Sequence, residues 1–117
     1  MKNMGLVILM AALFVSGSAG AGAQAGPKTH RDTVAANSRD AYIITFVREK
    51  PAIILVKGDG STDIDCVVYD NNENRVAQDL AGTDMCTLQW TPAWTGKFKL
   101  MIINRGNTDN EYVSVTN

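Results

Sequence analysis

Aspartates stand at positions 59, 63 and 65 in the stretch "GDGSTDIDC", with Ser61 between the first two and Cys66 closing it. Side-chain oxygens at alternate positions are what a hard cation such as calcium takes. Asp70, Asp79 or Asp84 could approach from neighbouring turns. The spacing lacks the glutamate twelve positions from the loop start that an EF-hand loop uses, and nothing in the sequence fixes a ligand geometry. The simpler reading is a solvated polar loop leading into a strand. Calcium held by Asp59, Asp63 and Asp65 is the alternative, and no other cofactor is indicated.

Cys66 and Cys86 are the two cysteines of the chain. Each alternates with apolar residues, Cys66 with Ile64 and Val68, and Cys86 with Leu88 and Trp90. Both therefore point to the core face of a strand, and a structural bridge is expected. Catalytic redox pairs sit close together as Cys-x-x-Cys, which this pair does not. Nucleophilic hydrolysis needs a base, and His30 is the single histidine. It falls in a polar segment where no sequence feature sets it against a serine, so no enzyme is expected. Trp94 follows Pro92 in a turn, where it covers one end of the fold or anchors a partner. Asp70 and Arg105, in other turns, complete the loop residues on which a binding surface would draw.

The elements that must position these residues are strands. Tyr42, Ile44 and Phe46 alternate with Ile43, Thr45 and Val47, rich in β-branched and aromatic types. Pro51 opens a second apolar run, where its missing N–H suits the first position of a strand. Strands follow at 63–69, near 75–78, at 85–91, 97–103 and 112–116. "DNNEN" at 70–74 reads as a hairpin turn. Gly96 in "TPAWTG" can take backbone angles closed to other residues. Seven or eight short, mostly antiparallel strands imply an all-β sandwich of jelly-roll or Greek-key type. Its expected core is Tyr42, Ile44, Phe46, Ile54, Val68, Leu88, Trp90, Phe98, Leu100 and Ile102.

The start of the chain reads differently. One early lysine, an apolar run at 5–15 and a small-residue tail ending in Ala23-Gln24-Ala25 form the three-part pattern of an export signal. That run is too short to span a bilayer as a helix. Cleavage after Ala25 is expected, leaving a single domain over 26–117 with a short flexible N-terminal segment, released to the periplasm or the medium. A formal net charge of −1 and no basic run give no nucleic-acid footprint. A monomer is expected.

With the strands placed, "GDGSTDIDCVVYDNNENRV", "TPAWTGKFKLMIINRG" and the closing strand at Tyr112 resemble the bacterial pre-peptidase C-terminal domain family. These small β-sandwich modules occur beside secreted proteases and as free-standing proteins. Ser114 departs from the pattern, which favours an apolar residue two positions after the tyrosine. The resemblance implies a non-catalytic binding or accessory module whose partner is an extracytoplasmic protein, peptide or glycan. The rival expectation is a structural or stress-related envelope domain without a specific ligand.

Overall fold

A computed structural model describes residues 22–117, and the apolar run at 5–15 lies outside the described residues. The chain forms eight strands: β1 (Lys28–Val34), β2 (Arg39–Phe46), β3 (Ala52–Lys57), β4 (Ile64–Tyr69), β5 (Arg75–Asp79), β6 (Met85–Trp90), β7 (Gly96–Asn104) and β8 (Asn110–Thr116). They make two four-stranded antiparallel sheets, ordered β1-β8-β3-β6 and β2-β7-β4-β5. Successive strands alternate between sheets except where β4 leads to β5, which gives the eight-stranded jelly roll.

The period-two reading holds because inward positions meet across the two sheets. Phe46, Ile54, Val68, Leu88, Phe98, Leu100 and Ile102 are buried, and Tyr42, Ile44 and Trp90 pack against them from the rim. Phe46 meets Trp90 and Phe98 edge-on, with Trp90 and Phe46 centroids 4.9 Å apart, and Trp90 is tilted against Phe98. Such geometry sets positive ring edges against negative faces.

Two local features differ from the sequence reading, and a third, the hairpin, agrees with it. The segment read as loose at the N-terminus is β1, paired with β8 from Lys28 opposite Thr116 to Val34 opposite Asn110. As an edge strand it buries only Val34, so it carries no apolar alternation. Gly96 is needed for space rather than for its backbone angles: a Cβ there would lie 2.9 Å from Cδ1 of Trp94. In the hairpin at 70–74 the positive φ falls on Glu73, at 64°. Asp70 is buried there and accepts backbone N–H groups from Asn72 and Asn74, at 2.8 and 2.9 Å.

Cys66 of β4 and Cys86 of β6 are bonded, with Cα atoms 6.1 Å apart. The bridge joins the sheets on the side where edge strands β5 and β6 face each other. There Asp79 adds a crossing bond by accepting the N–H of Thr87 at 2.9 Å. Closing a loop with a sequence separation of 20 stabilises by about 3 kcal/mol on the loop-entropy estimate. Reduction, or Cys66→Ala with Cys86→Ala, is therefore expected to lower Tm by about 10 °C or more in a thermal melt.

Candidate functional site

The opposite side of the sandwich is open. Edge strands β1 and β2 stand across from one another there, and between them lies a cleft of about 370 Å³. Tyr42 and Ile44 of β2 and Leu100 of β7 form one inner wall, and Ser114 and Thr116 of β8 the other. Lys28 and His30 flank the mouth, and residues 23–26 close one end. Tyr112, Ser114 and Thr116 share the inward face of β8. Tyr112 is fully buried, whereas Ser114 is small and leaves room beside it. The serine that departs from the family pattern thus lies on the cleft wall, and an apolar residue of ordinary size at 114 would fill part of the space.

The rim carries an apolar residue and backbone that, among the described residues, has no partner. Ile43 is 61% exposed, the most exposed large hydrophobic among the described residues. Thr45 accepts the N–H of Gln24 at 2.8 Å, and Val47 donates to the Gly22 carbonyl at 2.9 Å, both from the free edge of β2. Backbone groups of an antiparallel strand point to the same edge at every second residue. Ala41 and Ile43 accordingly turn their N–H and C=O groups to that edge beyond the reach of the N-terminal segment.

A chain of polar side chains crosses between the sheets at the inner end of the cleft. The Tyr112 hydroxyl donates to Asp40 at 2.7 Å and contacts the Tyr42 hydroxyl, which donates to Asp32 at 3.1 Å. The N–H of Thr33, followed by the Tyr42 hydroxyl, holds the Asp32 carboxyl below its ordinary range. Burial pushes the Tyr42 hydroxyl up, and burial followed by the bonds to Tyr42 and Asp40 pushes Tyr112 well above the usual tyrosine range.

No sequence feature sets His30 against a serine, but the strand register does. His30 lies directly opposite Ser114 in the β1–β8 register, and its Nε2 is 3.7 Å from Asp32. Serine, histidine and aspartate thus meet beside the cleft. Among the described residues, however, no hydrogen bond joins Ser114 to His30, and Asp32 is engaged by Thr33 and Tyr42. His30 instead sets its ring edge-on against Tyr42, with centroids 5.2 Å apart.

The residues singled out from sequence lie elsewhere. Trp94 is 39% exposed at one end of β7, while Arg105 follows the other end, about 30 Å away at strand rise. Arg105 Nε donates to Asp65 at 2.8 Å, and both Asp70 oxygens serve the hairpin. Asp59 accepts the N–H groups of Ser61 and Glu111, each at 2.9 Å. Burial raises its carboxyl, but these donors outweigh that and the net shift is downward. Asp63 is exposed, and Asp84 pairs with Lys57 at 3.0 Å. The buried Asn104 and Asn110 tie the acid-rich loop to its neighbours through Thr62. Among the described residues no three His, Cys, Asp or Glu side chains come together as a metal-binding group.

No protein-family model and no curated protein matches this sequence. Solved structures do share its architecture. The pre-peptidase C-terminal domain of a Bacillus anthracis collagenase superposes with a TM-score of 0.66 at 17% identity, covering 77% of this chain and 88% of that one. The fold is that of the pre-peptidase C-terminal domain. Aeromonas hydrophila PliG, a periplasmic inhibitor of g-type lysozyme, superposes at 0.58 and 11% identity, covering 85% and 88%. The mitogen of Yersinia pseudotuberculosis does so at 0.57 and 11%, covering 77% and 83%.

Three outcomes are expected. Tyr112→Phe removes the bonds to Asp40 and Tyr42 and should cost about 1–3 kcal/mol at neutral pH in a denaturant titration. Both tyrosines are held neutral in the folded state. Their contribution is therefore fully present below the unfolded value near pH 10 and is lost as pH rises from there through the folded values. Wild type should begin to unfold above about pH 10, with a shallower fall in Tyr112→Phe, as read by circular dichroism and tyrosinate absorbance. Against EDTA at matched ionic strength, calcium at millimolar concentration should shift Tm by less than about 2 °C. A larger rise that Asp63→Asn with Asp65→Asn abolishes would place an ion in the acid-rich loop.

Proposed function

We propose that this chain is a non-catalytic binding module of the extracytoplasmic space that grips an extended segment of a protein partner in the cleft between β1 and β2. The observation that carries this reading is the open cleft itself. It combines an apolar wall on β2 and β7, a wall of small hydroxyl residues on β8, a projecting Ile43 and, among the described residues, free backbone donors and acceptors at Ala41 and Ile43. A segment laid along β2 would satisfy those groups as an added strand while its alternate side chains enter the cleft. The N-terminal segment already makes such a pairing, since Ala23 bridges Phe46 in antiparallel sense.

A protein segment fits better than a glycan because the aromatic rings of the lining, Tyr42 and His30, meet edge-on and form no flat platform of the kind that sugar faces favour, while Lys28 and Gln24 add polar groups and the remaining lining is aliphatic or small. The fold is compatible with such a role, as PliG inhibits a lysozyme on a similar scaffold. The disulfide and the leader-like N-terminal pattern support an extracytoplasmic site. The Trp94 surface is the competing contact.

Peptides selected by display against the folded domain separate the two. Ile43→Glu is expected to weaken the best binder tenfold or more, about 1.4 kcal/mol, while Trp94→Ala changes Kd less than twofold. Amide exchange at Ala41 and Ile43 should slow on binding. The reverse pattern moves the site to Trp94. Covalent labelling of Ser114 by a fluorophosphonate would instead support a hydrolase built on His30.

A further inference from the structure

The small-residue tail satisfies the Ala-x-Ala pattern of a signal-peptidase site in three registers: Ala19-Gly20-Ala21, Ala21-Gly22-Ala23 and Ala23-Gln24-Ala25. Composition alone does not separate them, and the last was expected because it closes the tail. The fold distinguishes them by what each cut removes.

Ala23 is 4% exposed and belongs to the hydrophobic core. Its N–H donates to the Asn117 carbonyl at 3.1 Å, the N–H of Gln24 to Thr45 at 2.8 Å, and that of Val47 to Gly22 at 2.9 Å. Gly22 is packed so closely that a Cβ would lie 2.5 Å from both the Pro51 carbonyl oxygen and Asn117 Oδ1. No L side chain fits there without moving backbone. Residues 23–26 also form one end of the cleft. A cut after Ala25 deletes the buried alanine, all three of these bonds and most of that wall. A cut after Ala23 still deletes the alanine and leaves Val47 without its acceptor. A cut after Ala21 keeps every one of them.

We infer that the export leader ends at Ala21 and that Gly22 is the first residue of the mature chain. Water hydrolyses the peptide bond between them, leaving a carboxylate on Ala21 and a free amine on Gly22. Gly22, Ala23 and Gln24 then dock as a short strand against β2. Processing at this register therefore also sets the shape of the binding cleft. The inference rests on the export reading, and the test keeps the two apart.

The full chain is expressed in a bacterial host with an outer membrane, and the exported protein is measured by intact mass and N-terminal sequencing. A chain starting at Gly22 with its disulfide closed is the expected result. A start at Gln24 or Gly26 overturns the inference while leaving export standing, and an exported chain that keeps Met1 overturns both. Ala21→Leu should block the normal cut, whereas Ala25→Leu should leave its position unchanged; the opposite pair of results overturns the inference. As an independent readout, refolded 26–117 should melt about 10 °C below refolded 22–117, and equal melting temperatures would remove the structural basis for the choice.

Discussion

Two stacked sheets share no backbone hydrogen bonds, so their relative position depends on what crosses the interior. In this domain the covalent crossing is Cys66 to Cys86, near the side where β5 and β6 close the sandwich. With that side fixed, the β1–β2 side need not be filled to the same density. The polar crossings at Tyr42, Tyr112, Asp32 and Asp40 hold the open side without sealing it. The cleft is thus a product of unequal closure: a covalent tie on one flank and a hydrogen-bonded one on the other.

The strands that carry the core were plain in the sequence wherever one face is buried and the other wet. Cys86, Leu88 and Trp90 alternating with Thr87, Gln89 and Thr91 is that pattern, and β6 lies where it points. Strand β1 was illegible for the opposite reason. It is held by its ladder to β8, and a ladder of backbone bonds leaves no trace in side-chain type. Gly22 and Ala23 read as leader in the sequence, yet small residues suit both a peptidase subsite and a crowded corner of a folded domain.

The cleft could not be read from any single stretch. Its lining comes from β1, β2, β7, β8 and the segment before β1, brought together only by the strand order. The one local sign was Ser114, a small polar residue two positions after Tyr112. The loop residues that drew attention through charge or aromaticity have mainly architectural work. Asp70 folds a hairpin, Asp59 and Asp65 fix loops, and Trp94 lies over Gly96.

The strand order also governs when the domain can exist at all. Among the eight strands, β1 neighbours β8 alone and β2 neighbours β7 alone, so the first two strands made must wait for the last two. Each of those late strands is also the inner member of its sheet, lying between an early strand and a middle one. Neither sheet can therefore reach its full strand order until β7 and β8 are made. The price is a fold of high contact order, which forms slowly. The return is that the first two strands stay without their sheet neighbours until β7 and β8 are made.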